Sequence, residues 1–254
     1  MDESIRYQDV NAETISRWIA DGWTWGTPID HATYLKALAE EWDVVLTPTK
    51  PVPRAWFGDL KDRFVLGLAS GGGQQMPIFA AAGANCTVFD YTAAQLESEQ
   101  LVAEREGYDI TLIRGDMTER LPFPDDHFDI IFHPVSNVYI EFVEPVFQEC
   151  YRILKPGGIL LCGLCNGFNF VVDISEREIV NRLPFNPLRN PDHREIARQN
   201  DDGYQFSHTV SEQIGGQLKA GFILTHLEED TNGYGRLHDM NIPTFMLTRA
   251  VKPK

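Results

Sequence analysis

From residue 64 to residue 164 the chain alternates short apolar runs with amphipathic stretches, a rhythm that predicts strands joined by helices in a parallel sheet. The first run, Phe64-Val65-Leu66-Gly67-Leu68, leads into Ala69-Ser70-Gly71-Gly72-Gly73-Gln74-Gln75. Further strands are predicted over 86–90, 110–113, 128–132 and 159–164. Between them, a helix begins at Met76 and uses small residues against the sheet. A second helix spans 95–105 around Leu96, Leu101 and Val102. A third spans 145–154, with Val146, Cys150, Ile153 and Leu154 on one stripe and Pro145 in its first turn. Lys155-Pro156-Gly157-Gly158 is expected to stop it.

Two segments break this rhythm. Residues 11–41 carry two helix patterns around an aromatic turn, with Ile15, Trp18 and Ile19 spaced for one face and Asp30 placed as an N-cap. Thr47-Pro48-Thr49-Lys50-Pro51-Val52-Pro53 reads as an extended connector, because proline fixes its own φ and biases its predecessor away from helix. Residues 166–207 are polar and proline-bearing. They form an insertion that serves either as a substrate lid or as a surface excursion. A helix over 210–220 and strands over 222–227 and 242–248 complete the pattern. The expected fold is α/β: a Rossmann-like, seven-stranded, mostly parallel sheet with helices on both faces and its last strand antiparallel. An N-terminal helical cap with connector occupies 1–53 and the core 54–254.

Charge narrows the partners. Lys and Arg total 22 against 37 Asp and Glu, a net charge of −15, which opposes broad binding to nucleic acid or an anionic membrane. Met1-Asp2-Glu3-Ser4 is too acidic for a secretory leader, and no apolar run reaches the roughly 18 residues of a membrane span. A cytoplasmic protein with a small-molecule partner is expected; the sequence carries no signal for oligomeric state. Cys162 and Cys165 form a C-x-x-C, but inside a strand pattern rather than at a helix N-terminus, so they read as core residues and no metal site is expected.

Candidate chemistry lies at the strand ends. A glycine turn lets backbone approach a ligand closely, and an acid ending the next strand can hold a ribose diol. Here the turn follows Leu68, and Thr87-Val88-Phe89 ends on Asp90. Asp90 could equally cap the helix that follows. Dinucleotides and S-adenosylmethionine both use such a pair. The dinucleotide fingerprint is only partly met, since Gly67-x-Ala69-x-x-Gly72 puts alanine where the pyrophosphate would press on backbone.

Three further features follow in order: Arg114-Gly115-Asp116-Met117 at the third strand's end, Leu121-Pro122-Phe123 before Phe128-Asp129-Ile130-Ile131-Phe132, and Tyr151-Arg152-Ile153-Leu154-Lys155-Pro156-Gly157-Gly158. Together with the glycine turn they resemble the class I S-adenosylmethionine-dependent methyltransferases over roughly residues 60–165. A narrower likeness, to a bacterial group of predicted methyltransferases, rests on the stretch 41–53, on Ala69 to Gln75, on His133-Pro134-Val135-Ser136-Asn137 and on Phe206-Ser207-His208-Thr209. The resemblance implies S-adenosylmethionine as cofactor. It implies Ala69, Ser70, Gly71 and Gly73 at the methionine end, Asp90 on the ribose hydroxyls, Tyr91 beside the adenine, and Asp116 and Met117 flanking it. The usual motif has an acid where this chain has Gly67, and glycine where it has Ala69; that acid commonly positions the cofactor's ammonium group.

Around this frame, His133 at the fourth strand's tip is the candidate catalytic residue, as base or acceptor-facing donor, with a structural histidine as the alternative. Asn137 in the same loop, and Trp23 and Trp25 in the cap, are candidate substrate contacts; the tryptophans could instead form the cap's own core. His208 ranks below His133. Tyr151 and Lys155 also fit Y-x-x-x-K, but at the wrong end of the strands for catalysis. Two other functions stay in view: an NAD(P)-dependent oxidoreductase, and a module that binds S-adenosylmethionine without turnover.

Overall fold

The computed structural model describes residues 6–254, so the N-terminal tetrapeptide discussed above lies outside the described residues. One sheet contains β1 (Phe64–Leu68), β2 (Asn85–Asp90), β3 (Thr111–Arg114), β4 (Phe128–His133), β5 (Leu154–Cys165), β6 (Ile223–Asp230) and β7 (Phe245–Val251), in the order β3-β2-β1-β4-β5-β7-β6. Strands β1 to β5 are parallel. The last strand is antiparallel, as expected, and it pairs on both sides, slotting between β5 and β6.

The helices are α1 (Tyr7–Ala20), α2 (His31–Leu38), α3 (Met76–Ala81), α4 (Ala93–Glu106), α5 (Glu144–Ile153), α6 (Pro191–Asn200), α7 (Val210–Ala220) and α8 (Gly235–Asp239). Alternation along β1 sends Leu66 and Leu68 to one core with Phe147 and Ile153, and Val65 to another with Phe79 and Phe132. Helices therefore cover both faces. Asp30 caps α2 by accepting from the Thr33 N–H at 2.8 Å.

Several elements differ from the sequence reading. The helix α5 ends before Lys155, as expected, but β5 starts at Leu154 rather than at 159. Lys155 to Gly158 sit inside β5 as an irregularity, where the ladder jumps from Phe128 opposite Leu154 to Ile130 opposite Ile159. Leu101 is exposed; the buried face of α4 is instead Gln95, Ser98, Glu99, Val102 and Ala103. Apolar periodicity misplaces that helix because its inner face serves the glycine turn, as described below. In the insertion, α6 has little apolar pattern and buries only His193 and Ala197; Asn190, accepting from the Asp192 N–H, and Pro191 start it.

The 47–53 stretch is extended but is no open linker. Val44, Leu46 and Val52 share a core with Val65 and Phe132, and the Val135 N–H donates to the Leu46 carbonyl at 3.2 Å. A Cβ at Gly163 of β5 would stand 2.0 Å from that carbonyl oxygen, so close packing requires glycine there. Among the described residues no helix is long and apolar enough to cross a membrane.

Candidate active site

A cleft of about 1440 Å³ opens over the C-terminal ends of β1, β2 and β4, where open α/β sheets take their ligands. The turn after β1 forms its floor. Ala69, with its N–H donating to the Phe89 carbonyl at 2.8 Å, adopts φ +46°, the left-handed region that favours glycine. Gly71 follows, and its N–H donates to Asp90 Oδ2 at 3.1 Å. A Cβ on Gly71 would lie 2.6 Å from Gln95 Cβ, so only glycine allows this approach.

Asp90 is buried, and its other oxygen accepts from the Thr92 N–H at 2.9 Å. Burial pushes its carboxyl above the usual range against the pull of these backbone donors. Each carboxylate oxygen keeps a second lone pair. The N-cap of α4 is Thr92 and not Asp90, whose carboxylate holds the Thr92 N–H and lines the cleft.

Below the turn lies a group that sequence reasoning missed. Glu99 on α4 is fully buried and Oε1 accepts from the Gly73 N–H at 2.8 Å, while Oε2 has no partner. Burial, foremost, pushes its carboxyl up to about 8. Gln95 also faces the turn: its carbonyl accepts from the Gly72 N–H at 3.0 Å. The signal was present as polar residues at i and i+4, on the helix side that should meet the sheet.

Gly73, expected at the methionine end, faces away from the cleft. A Cβ there would meet the Ser98 carbonyl at 2.7 Å, so this glycine packs α4 rather than lining the site. Ala69, Ser70 and Gly71 do line it, as do Asp90, Tyr91, Asp116 and Met117. Asp116 is held by the Thr118 N–H (2.8 Å) and by the Arg6 guanidinium (2.5 Å). Tyr91 donates its hydroxyl to Asp9 of α1 at 2.5 Å.

His133 and Asn137 are corrected. His133 is fully buried, does not line the cleft, and donates from Nδ1 to the Leu68 carbonyl at 2.8 Å. Its Nε2 lies 2.8 Å from Asn137 Oδ1, and Asn137 Nδ2 donates to Gln213 Oε1 at 3.0 Å. Burial holds the imidazole below its ordinary pKa. Both side chains are consumed in tying β4 to β1 and α7, because a buried polar group is costly unless paired. His208 is likewise buried, donating to the carbonyls of Asn137 (2.9 Å) and Ile140 (3.0 Å).

The aromatic turn of the N-terminal segment does reach the site. Gln74 Nε2 donates to the carbonyls of Thr24 (2.6 Å) and Thr27 (2.9 Å), fastening this turn on the glycine turn. Trp23 packs against Trp18 with ring centroids 5.3 Å apart, and Trp18, Trp23 and Trp25 all line the cleft. On the opposite side Asn11 of α1 donates to the carbonyls of Tyr139 (3.2 Å) and Tyr204 (3.0 Å), joining α1 to the insertion. The Tyr151/Lys155 pair lies elsewhere: Lys155 binds Asp129 at the N-terminal end of β4, and Tyr151 packs on Phe222.

The residues present fit S-adenosylmethionine. Ser70 keeps a buried hydroxyl with no partner beside the turn. A Cβ at Gly115 would strike the Phe89 ring at 2.3 Å, so the backbone there stays thin next to Asp116 and Met117. Among the described residues no Lys, Arg or His lines the cleft, and Asp116 at its edge is already paired with Arg6; a lining with no free cation suits a sulfonium better than a pyrophosphate.

Strand order, glycine turn and the acid ending β2 define a class I S-adenosylmethionine-dependent methyltransferase. Comparisons agree. The family described as "Methyltransferase domain" matches residues 66–162. The uncharacterized methyltransferase YbaJ of Bacillus subtilis is 38% identical over 249 residues, covering 95% of this chain and 97% of that protein. Sterol 24-C-methyltransferase erg6 of Aspergillus fumigatus is 29% identical over 62% of this chain and 39% of its own length. An S-adenosylmethionine-dependent methyltransferase structure from Mesorhizobium loti shares the fold, with a TM-score of 0.63 and 19% identity over 78% of this chain and 94% of that one. The chain belongs to the class I S-adenosylmethionine-dependent methyltransferase family.

Proposed function

We propose that the protein methylates a small molecule held in the 1440 Å³ cleft, with Asp90 binding the ribose of S-adenosylmethionine. The observation that carries the assignment is the Gly71–Asp90 hydrogen bond, which locks the turn after β1 against the tip of β2. The free lone pairs of Asp90 accept from the ribose hydroxyls. Tyr91 and Met117 cover the adenine, and Asp116 accepts from its amino group. Ser70, with Ala69 and Gly71, meets the methionine end, where the unpartnered Ser70 hydroxyl gains a partner.

Bound S-adenosylmethionine supplies an electrophilic methyl on a sulfonium that leaves as a neutral thioether. The chain's task is to align the acceptor and exclude water. Trp23 and Trp25 do this from above the glycine turn. His133 is given no base role in this reading, since its ring is enclosed, stands outside the cleft lining and donates to the Leu68 carbonyl. The cytoplasm as its place is part of the same proposal; four free, buried cysteines suit a reducing compartment.

The oxidoreductase alternative is disfavoured by the cation-free lining. Calorimetric titration with S-adenosylhomocysteine tests the rest. Micromolar binding is expected, with none for NAD, and Asp90→Ala is expected to weaken it about 10- to 100-fold, the worth of charge-assisted hydrogen bonds. An Asp90→Ala protein that folds and binds as tightly as the parent removes the ribose assignment. Methyl transfer to no acceptor across a broad panel, despite tight binding, would favour the non-catalytic module.

A further inference from the structure

The cleft is larger than the roughly 300–1,000 Å³ of most small-molecule sites, so it has room beyond a cofactor. Its cofactor end is already accounted for by the strand tips. The remaining space lies between the N-terminal segment and the insertion. Trp18, Trp23 and Trp25 wall one side; Phe170, Phe185 and Phe245 come from the insertion and β7. At the rim, Ile174 is 96% exposed and Tyr234 77%, and both line the cleft. Exposed large apolar side chains around one concavity mark a binding surface for apolar matter.

The charges here are one-sided. Asp21, Asp173, Glu176 and Asp202 line this end; of the two acids near the strand tips, Asp116 is paired with Arg6 and Asp90, among the described residues, is not paired with a cation. Among the described residues none of the four forms an ion pair with Lys or Arg. Glu176 accepts from the Leu237 N–H (2.6 Å) and from Asn232 Nδ2 (3.2 Å), neither of which neutralises it. An anion entering this space meets repulsion with no compensating cation.

We propose that the methyl acceptor is a bulky, largely apolar molecule that is uncharged or cationic, and that carboxylate and phosphate compounds are excluded. This rests on the methyltransferase reading and deepens it.

The test uses three probes of matched chain: decylamine, 1-decanol and decanoate. Each is titrated at pH 7 into the full chain saturated with S-adenosylhomocysteine, following tryptophan fluorescence. Three of the five tryptophans line the cleft, so occupancy alters the signal. Decylamine and 1-decanol are expected to bind, with decanoate at least fivefold weaker than either. Asp21→Asn combined with Glu176→Gln is expected to narrow that gap at least twofold. A smaller gap in the parent protein, no narrowing in a folded variant, or no response to any probe overturns the proposal. S-adenosylhomocysteine calorimetry on the same sample separates the two readings: its failure strikes the cofactor assignment, whatever the probes do.

Discussion

Met76 fills the space that a side chain at position 67 would need. A Cβ on Gly67 would stand 2.7 Å from Met76 Sδ and 2.9 Å from its Cγ, and Met76 is fully buried. Where the resemblance leads one to expect an acid at position 67, this chain has glycine, and a thioether from α3 occupies the space. That occupancy explains how the first motif departs from the pattern without leaving a void.

Gly67→Asp alone is therefore expected to destabilise the fold by at least about 1–3 kcal/mol through overpacking, with more from the buried charge. Gly67→Asp with Met76→Ala is expected to recover about 0.5–3 kcal/mol of that loss as coupling between touching residues. Thermal unfolding of the four proteins in the cycle measures it. Additive losses would show that Met76 does not occupy the acid's place.

Ala69→Gly tests the strained turn. Ala69 holds φ +46°, where a Cβ costs roughly 1–2 kcal/mol, while the glycine variant gives back about 0.4–1 kcal/mol through its freer unfolded chain. A net gain of up to about 1.6 kcal/mol is expected, raising the melting temperature by up to about 6 °C at the roughly 2–4 °C per kcal/mol of a chain near this size. A lower melting temperature would show that the alanine methyl contributes more by packing than it costs in strain.

Glu99 gives the fold a pH dependence. Its carboxyl is raised from 4.5 to about 8 in the folded state. Between those values the native protein holds a proton that the unfolded chain has released, so this group makes stability fall as pH rises through that window. Below pH 4.5 its full contribution is present, and above 8 the slope from this group ends. Glu99→Gln keeps an oxygen for the Gly73 N–H and removes the ionisation. The variant is expected to lose less melting temperature than the parent between pH 5 and pH 8. Parallel pH profiles for the two proteins would show that Glu99 is ionised throughout.

The strand rhythm, the glycine turn and Asp90 were legible in the sequence because each depends on local chemistry. Alternating apolar residues mark a two-sided sheet, and glycine with a strand-ending acid marks a close ligand approach. His133 was placed correctly at a strand tip, but its side chain turns into the core and not into the cleft. Position along a strand is local, whereas the direction of a side chain's hydrogen bonds depends on Leu68 and Gln213, 65 and 76 residues from their partners. Asn137 likewise turns toward Gln213, and Gly73 packs against Ser98 of α4.

The sequence by itself determined the α/β class and the parallel core, since these follow from periodicity within short windows, while its resemblance to the methyltransferases implied the cofactor. Only the tertiary structure decided which polar residues face the cleft and which support it from beneath. The burial of Glu99, the place of Met76 and the acidic lining of the cleft between the N-terminal segment and the insertion arise from contacts between segments far apart in the chain. The energy of burying a polar group depends on partners that no local window contains.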